Sequence, residues 1–455
     1  MISQTIPETA LEPCGGTAHP ASFRDPGGFV FRDAEGTLLR QIHASAEPDF
    51  EHLLRSGLYE KLAAEGLLIE HEEEPLERAA NEAAVRVIRP RELPFIAYPY
   101  EWSFEMLREA ALLTLRIQRL ALARDMSLKD ATAFNVQFEG TRPRFIDTLS
   151  LERYEPGTPW RAYGQFCRHF LAPLALMAYR GLEFGRLTAL HLDGLPLETV
   201  SRLLPWRTRL RGGLLMHLHS HAWFIDRHQD THAAANAEAN SRAPRSGRFT
   251  KDSLLLLLDS LQRTVLGLRR RGRRTEWSEY YADNSYSAES FHRKQALVRV
   301  LLGDAPGRVW DLGGNTGVFS RLAARTAEHV VSFDIDPACV DHNFQDCRRE
   351  APENVLPLVM DFTNPTPALG WAGAERASLA ERGPCDTALA LALVHHLAIA
   401  GAVPLPRLAE WFALLCRRLV IAVGPYWSLP RVPPRRLRSR RRPPFHARTP
   451  RAGGR

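Results

Sequence analysis

Acidic residues at the ends of apolar segments, beside a cluster of glycines, are the part of this sequence best suited to bind a ligand. Asp311 ends the run RVWDL, Asp334 ends HVVSFD, and Asp361 follows VLPLVM. The glycines after the first of these acids are Gly313, Gly314 and Gly317. Glycine supplies the positive φ angles of a sharp strand-to-helix turn and lets a ligand approach the backbone closely. The pattern predicts a ligand site where several strands end.

The spacing between the glycines and the second acid indicates what kind of ligand this is. Asp334 lies 17 residues past Gly317, about the offset at which α/β folds use a carboxylate to bind two ribose hydroxyls. The loop reads DLGGNTG and lacks the G-x-G-x-x-G form that cradles a dinucleotide pyrophosphate. The spacing therefore does not match a dinucleotide fingerprint.

The segment around this loop alternates apolar strands with helical patterns. The apolar runs are RVWDL, HVVSFDI, VLPLVM, TALALAL and RRLVIAV. Their alternation predicts an α/β domain over residues 276–430, with a parallel sheet and helices on both faces. Past the last run no further strand pattern appears, which predicts a sheet that ends there with an exposed edge.

The pattern D-x-G-x-x-x-G in DLGGNTG resembles motif I of the class I S-adenosylmethionine-dependent methyltransferases. SFDIDPACVD, LVMDFTNP and CDTALALALVHHL resemble motifs II, III and IV of that family, in the same order. The resemblance covers residues 276–423. It implies a Rossmann-like fold, S-adenosyl-L-methionine as the cofactor, and methyl transfer to an acceptor that the sequence does not identify.

The same resemblance implies roles for individual residues. Asp311 and the backbone of Gly313 and Gly317 would face the amino-acid end of the cofactor. Asp334 would bind its ribose hydroxyls, and Asp361 would lie near the adenine amino group. The full set of predicted cofactor-binding residues is Asp311, Gly313, Gly314, Asn315, Gly317, Asp334 and Asp361.

A narrower resemblance is to bacterial methyltransferases similar to the nodulation protein NoeA. It rests on the run WSEYYADNSYSAESFHRKQALV, the pair Gly370-Trp371 and the paired histidines that follow TALALALV. Aromatic residues of that run could cover the acceptor or pack in the core. They are Trp277, Tyr280, Tyr281 and Tyr286. Asn315 stands where many methyltransferases have glycine, and asparagine tolerates left-handed backbone conformations.

His395 and His396 are the candidate catalytic residues. They follow a predicted strand at its carboxyl end, the edge at which open α/β sheets bind ligands. Methyl transfer from a sulfonium depends mainly on the alignment of the reacting atoms, and a base matters when the acceptor must lose a proton. Histidine suits that role near neutral pH. The alternative is that both side chains simply pack at the start of the next helix.

Residues 21–195 are predicted to form a separate α+β unit. Alternating runs in FVFRDAEGTLLRQI and FNVQFEGTRPRFIDTLS predict two hairpins, and helical patterns cover Phe50–Ala64 and Phe104–Arg124. A helical connector is predicted over residues 196–275, and residues 1–20 are predicted to be flexible.

Polar residues near the second hairpin resemble those of protein kinases. Asp130 and Asn135 are five positions apart and Asp147 follows twelve further on, like the catalytic aspartate and the two metal-binding residues of that family. The resemblance implies a kinase-like domain and, as an alternative function, phosphotransfer with ATP and magnesium. Leu128 replaces the usual histidine, and Arg40 stands near the position of the usual lysine, which arginine cannot simply replace. A further alternative is a non-enzymatic binding protein with two relic sites.

The connector contains histidines that could bind a metal. His217, His219 and His221 alternate in LLMHLHSHAWF. Imidazole is a common ligand of zinc and other transition metals, but no compact motif surrounds these residues. Polar packing is therefore expected, and no metal site is predicted.

The charge distribution separates the body of the chain from its carboxyl-terminal tail. The 455 residues carry a net charge of +7, but residues 431–455 hold ten arginines and no acid, so the rest is slightly acidic. The tail lacks hydrophobic periodicity and is predicted to be disordered. Because the body has no basic surplus, nucleic acid is not expected as a partner.

The remaining features of composition predict a cytoplasmic protein. No segment approaches the roughly 18–20 apolar residues that a membrane span needs. The amino-terminal sequence lacks a basic segment followed by an apolar core, so no secretory signal is expected. Six scattered cysteines without a CxxC pair are typical of thiols in a reducing compartment. The oligomeric state does not follow from the sequence.

Overall fold

The computed structural model describes residues 17–223, 249–270 and 288–422, except positions 305, 351 and 392. In these residues the fold is mixed α/β, with one antiparallel and one parallel sheet of five strands each. The aromatic residues for which an acceptor cover and core packing were both considered lie outside the described ranges, as does the tail of residues 431–455. Within those ranges, no helix is both long enough and apolar enough to cross a membrane.

The antiparallel sheet belongs to the amino-terminal half and has the order β1-β2-β3-β5-β4. Its strands are β1 (Thr17–Ala18), β2 (Gly28–Arg32), β3 (Leu38–His43), β4 (His71–Glu74) and β5 (Ala84–Pro90). The first predicted hairpin is confirmed, because β2 and β3 pair from Gly28 with Ile42 to Arg32 with Leu38. Within residues 1–20, which were predicted to be flexible, Thr17 and Ala18 form β1 and pair with β2.

Helices form much of the rest of the amino-terminal half, and the first of them packs Phe50 against Ile42 and Ile88 of this sheet. They are α1 (Glu47–Arg55), α2 (Leu58–Ala64), α3 (Phe104–Leu122), α4 (Tyr163–Phe166) and α5 (Ala172–Tyr179). The helical section predicted over Phe50–Ala64 consists of two helices, because Gly57 adopts a left-handed φ of 68° between α1 and α2. The long helix α3 is confirmed, and the Ser103 side chain caps it by accepting a hydrogen bond from the Met106 N–H.

Two further strand pairs lie between α3 and α4. β6 (Met126–Leu128) pairs with β9 (Leu151–Arg153), and β7 (Val136–Glu139) pairs with β8 (Arg142–Phe145). The second of these pairs confirms the hairpin predicted around Glu139 and Gly140. The loop between β6 and β7 and the segment after β8 carry the three kinase-like residues.

The region predicted as a connector folds onto the amino-terminal half. Its helices are α6 (Leu197–Leu203), α7 (Gly212–Leu214) and α8 (Lys251–Gly267), with a 3₁₀-helix at Trp206–Leu210 and a π-helix at Leu215–Ser220. Helix α8 buries Leu254, Leu258, Leu261 and Val265 in the core that α3 also joins. An ion pair between Arg119 of α3 and Asp259 of α8 supports this contact. The segment is therefore part of the packed structure.

The parallel sheet forms the carboxyl-terminal half, in the order β12-β11-β10-β13-β14. Its strands are β10 (Arg308–Leu312), β11 (His329–Asp334), β12 (Val355–Val359), β13 (Cys385–Ala390) and β14 (Cys416–Ile421). The flanking helices are α9 (Ala288–Leu302), α10 (Val318–Ala323), α11 (Pro337–Glu350) and α12 (Leu405–Leu415). The strand order reverses beside β10, so ligands are expected at the carboxyl ends of β10 and its neighbours. The predicted parallel sheet is confirmed.

The two halves share one hydrophobic core rather than meeting through a thin contact. Phe95 of the amino-terminal half makes edge-to-face contacts with Trp310 and Phe333 of the parallel sheet. Buried polar contacts accompany them, including an ion pair between Glu101 and Arg382. The amino-terminal half therefore takes part in positioning the parallel sheet.

Candidate functional site

The glycine loop joins β10 to α10 at the predicted position. Gly313 and Gly317 have φ angles of 82° and 78°, and Asn315 has a φ of 50°, so the loop depends on left-handed conformations. A Cβ on Gly317 would also overlap the Asn343 side chain of α11. Gly317 is thus required for its backbone angle and for the close approach of α11.

Gly317→Ala is expected to lower the free energy of unfolding by about 2–5 kcal/mol, because left-handed strain and overpacking act together. Urea denaturation of the two proteins measures the difference. Gly267→Ala is the matched control, since Gly267 lies at the end of α8 with no atom within 4 Å of the added Cβ. Equal losses in the two variants would contradict the role given to Gly317.

The main-chain N–H groups of the loop are all hydrogen-bonded within the protein. Gly313 and Gly314 each donate to the Phe333 carbonyl at 2.8 Å. The three following N–H groups also have acceptors: Asn315 donates to Asp334 Oδ2, Thr316 to Asn315 Oδ1, and Gly317 to the Gly314 carbonyl. The loop therefore offers a ligand its carbonyl oxygens but no free N–H donor.

Asp334 ends β11 and connects this strand to the glycine loop. Its Oδ2 accepts from the Asn315 N–H and its Oδ1 from the Asp336 N–H, at 2.8 and 2.9 Å. The side chain is buried, and this burial raises its pKa to about 6, an effect that the backbone donors partly offset. The carboxylate therefore lies at the predicted edge of the sheet. A positive group nearby would favour its ionised form.

Asp311 lies beneath the glycine loop. Ser320 donates to its Oδ2 at 2.6 Å, and the Ser320 and Ser332 hydroxyls are 2.7 Å apart. Asn343 donates to Ser332 at 3.0 Å. Burial raises the pKa of Asp311 to about 6, with the nearby charge of Asp334 as a further cause. Two neighbouring carboxyl groups of this kind form an acidic site.

Sequence reasoning missed the polar residues that hold Asp311. Ser320, Ser332 and Asn343 come from α10, β11 and α11, and all are buried. A signal was present in Asn343, because it lies beside apolar residues such as Phe344 and Cys347 in a helical pattern, where a buried amide needs a hydrogen-bond partner.

Asp336 is a second residue that sequence reasoning missed. Its Oδ1 caps α11 by accepting from the Ala338 N–H at 2.8 Å. Its Oδ2 is buried and has no hydrogen-bond partner among the described residues. A buried carboxylate oxygen without a donor indicates that a ligand could donate to it.

Asp361 follows β12 at the same edge of the sheet. Its Oδ1 accepts from the Thr363 N–H and hydroxyl, and its Oδ2 lies 3.6 Å from Arg186. Arg186 belongs to a 3₁₀-helix at Leu182–Ala189 in the amino-terminal half. The three predicted acids therefore lie at the same edge of the parallel sheet, and Arg186 of the amino-terminal half lies beside one of them.

The paired histidines follow β13 at this edge. Their rings are 4.1 Å apart, and His396 begins a π-helix that ends at Ala400. A Cβ on Gly313 would lie 3.6 Å from the Leu393 Cβ, so the segment before the histidines adjoins the glycine loop. Partial burial lowers the pKa of both imidazoles, which keeps them neutral and able to accept a proton at pH 7.

Comparison with known proteins identifies the family. No protein-family model matches the chain. The chain is 35% identical over 409 residues to the nodulation protein NoeA of Rhizobium meliloti (strain 1021), which spans 89% of this chain and 84% of NoeA. The chain belongs to the NoeA family. The resemblance to this group predicted from short sequence motifs is therefore confirmed.

Two solved structures are similar to part of this NoeA family member. The DhpI-SAM-HEP complex is 20% identical and covers 30% of this chain and 52% of its own, with a TM-score of 0.21. A SAM-dependent methyltransferase from Aquifex aeolicus is 16% identical and covers 32% of this chain and 72% of its own, with a TM-score of 0.22.

The kinase-like residues of this NoeA family member lie close together but are already paired. Ser150 donates to Asp147 Oδ2 and accepts from Asn135 Nδ2. Arg40 binds the other Asp147 oxygen at 2.6 Å and Asp25 at 2.8 Å. The resemblance of this half to protein kinases stays a prediction.

The alternating histidines of the connector, for which polar packing was expected, have side-chain partners. His217 contacts the Tyr163 and Ser260 hydroxyls, and His219 contacts those of Ser201 and Thr208. Among the described residues no group of three or more His, Cys, Asp or Glu side chains could hold a metal ion.

Proposed function

We propose that this chain binds S-adenosylmethionine at the carboxyl ends of β10, β11 and β12 and catalyses transfer of its methyl group to an acceptor. The observation that carries the proposal is the lack of free N–H donors in the loop from Gly313 to Gly317. Loops that bind phosphates do so through free N–H groups. A donor-poor loop surrounded by carboxylates favours a cationic ligand that donates hydrogen bonds.

S-adenosylmethionine fits this requirement. It carries a sulfonium, an ammonium and a carboxylate group, hydroxyl and amino donors, and no phosphate, so its net charge is positive. An ionised carboxylate has about four acceptor sites, so Asp334 can accept from two ribose hydroxyls while it keeps its two backbone donors. Asp311, the loop carbonyls and the unpaired oxygen of Asp336 supply further acceptors for positive groups. Asp361 is proposed to lie near the adenine.

The chemistry proposed for the chain's own residues is mainly positional. The cofactor supplies a methyl carbon activated by a sulfonium, and the protein aligns an acceptor with it. His395 or His396 is proposed to take the acceptor's proton where one must leave, because both are neutral near pH 7 and follow closely on Leu393, which adjoins the loop. The acceptor itself is not identified.

Calorimetric titration with S-adenosylhomocysteine, ATP and NAD⁺ tests the proposal. We expect micromolar binding of S-adenosylhomocysteine and no competition from the two phosphate-containing ligands, since the loop has no free donors for phosphate. A folded protein that does not bind S-adenosylhomocysteine, or that binds it only in competition with NAD⁺, would overturn the assignment. Transfer of a labelled methyl group into fractionated cell extract then identifies the acceptor class.

The affinity for S-adenosylmethionine is expected to fall as the pH drops below 6. Burial raises the pKa of Asp311 and Asp334 to about 6, so each carboxylate is lost as the pH falls through that value. A cation prefers the ionised forms, and the affinity should decrease by about tenfold per pH unit for each proton that must leave. Calorimetry from pH 5 to 8, in buffers of different ionisation enthalpy, measures this proton release. An affinity independent of pH over that range would contradict the prediction.

A further inference from the structure

A group of exposed apolar side chains lies on the short helical segments from α6 to the π-helix. We call these residues, together with the arginines among them, the Trp206 surface. Trp206 and Leu210 are each 74% exposed, although indole and leucine side chains of this size are commonly buried. The other exposed apolar members are Leu203, Leu215 and Met216.

Buried hydrogen bonds hold these segments together as one surface. His219 of the π-helix contacts Ser201 Oγ of α6 through Nδ1 at 2.8 Å, and Thr208 Oγ1 of the 3₁₀-helix through Nε2 at 2.9 Å. Thr208 donates its proton to the Pro205 carbonyl, so it accepts from His219 Nε2–H. Burial lowers the pKa of His219, which favours the neutral ring that these contacts need. The exposed residues therefore sit on a fixed scaffold.

The same surface carries positive charge without compensating acids. Arg207, Arg209 and Arg211 are exposed and make no ion pair within the described residues. Many other exposed arginines are paired, as Arg202 is with Glu198. No Asp or Glu occurs in the sequence from residue 199 to residue 225. Alternating arginine with exposed tryptophan and leucine is typical of segments that lie in a lipid interface.

We propose that the Trp206 surface docks the protein onto an anionic lipid surface. Positive side chains are attracted by anionic headgroups, and tryptophan prefers the boundary between headgroups and acyl chains. The apolar members would enter that boundary while the arginines stay at headgroup level. A nucleic-acid partner would use the arginines but would leave Leu210 and Met216 exposed to water, so charge and apolar exposure together favour lipid.

Co-sedimentation of the full chain with vesicles tests this proposal. We expect binding to vesicles of 70% phosphatidylcholine and 30% phosphatidylglycerol at 0.1 M salt, and little to pure phosphatidylcholine. Each arginine near such a surface contributes about a fivefold gain in partitioning. The variant Arg207→Gln/Arg209→Gln/Arg211→Gln should therefore bind about a hundredfold more weakly. Trp206→Ala/Leu210→Ala should lose at least about tenfold through the apolar anchors.

Matched variants at other positions show whether vesicle binding depends on the Trp206 surface itself or on positive charge elsewhere in the chain, including the basic tail. Arg299→Gln/Arg325→Gln/Arg418→Gln removes the same charge from other exposed sites, and Trp371→Ala removes a tryptophan that is 71% exposed. Both should bind as the unchanged protein does. The proposal is overturned if the unchanged protein does not bind anionic vesicles, or if the Trp206-surface variants bind as well as their controls. A dimer in sedimentation analysis that Trp206→Ala dissociates would instead assign the surface to a second copy of the chain.

Discussion

Asp334→Ala is expected to weaken the binding of S-adenosylhomocysteine by at least about a hundredfold, because two hydrogen bonds from ribose hydroxyls to a charged acceptor are lost. The same carboxylate also accepts from the Asn315 N–H, so its removal leaves the glycine loop without one of its internal contacts. Both effects act in the same direction. Calorimetric titration of the purified variant measures the loss.

Two controls show whether the affinity falls because a ligand contact is lost or because the protein is disturbed in general. Asp386→Ala removes another partly buried aspartate of the parallel sheet, but at the amino end of β13, where it accepts from the Arg308 N–H. Its binding should stay within about threefold of the unchanged protein, since that edge of the sheet does not face the ligand. Thermal unfolding of the ligand-free variants shows whether they are folded. If Asp334→Ala binds S-adenosylhomocysteine normally, the ribose role is wrong.

Asp334→Asn separates the two functions of this carboxylate. The amide keeps one oxygen acceptor and nearly the same shape, so contact with the loop can persist while the charge is lost. We expect an affinity between those of Asp334→Ala and the unchanged protein, with a weaker dependence on pH below 6. An asparagine variant that behaves like the alanine variant would mean that charge decides the binding.

The parallel sheet and the positions of its acids were predictable because they depend on local pattern. Buried strands such as HVVSFD read as continuous apolar runs, and each run ends at a polar residue that marks the edge of the sheet. Glycines with positive φ then locate the turn into α10. These signals lie within a few residues of one another and need no knowledge of the tertiary structure.

The contacts that complete the site could not be read in this way. Ser320 donates to Asp311 and is bonded in turn to Ser332, and Arg186 reaches Asp361 from the other half of the chain. Such contacts depend on how distant segments pack. The break between α1 and α2 depends on packing in the same way. A glycine such as Gly57 within a helical pattern is often tolerated, and the packing of both helices decides its backbone angle.

Packing between the halves leads to the second large effect. Arg382→Met is expected to lower the free energy of unfolding by about 3–5 kcal/mol, because it leaves the Glu101 carboxylate buried without its cation. The side chains of Arg382 and Glu101 are only 5% and 1% exposed and form two hydrogen bonds, at 2.6 and 2.9 Å. The guanidinium also stacks on Phe95 and Tyr98. Urea denaturation measures the change.

An exposed pair provides the control for this variant. Arg407 contacts Glu410 at 3.2 Å, and its side chain is 76% exposed. Arg407→Met removes the same charge and replaces it with the same side chain, but exposed pairs contribute about 0–1 kcal/mol. Losses of similar size in the two variants would contradict the importance given to burial.

The double variant Glu101→Gln/Arg382→Met distinguishes a lost attraction from a stranded charge. The Tyr98 N–H and the Thr366 hydroxyl bind different oxygens of Glu101, and glutamine keeps one oxygen acceptor and nearly the same shape but carries no charge. If the loss in Arg382→Met comes mainly from the buried carboxylate, the double variant should recover about 1–3 kcal/mol of it. If it recovers nothing, the stacking of Arg382 on Phe95 and Tyr98 holds the halves together, and the ion pair adds little. Because β10 and β11 rest on Phe95, either result also shows how firmly the amino-terminal half supports the sheet that carries the candidate site.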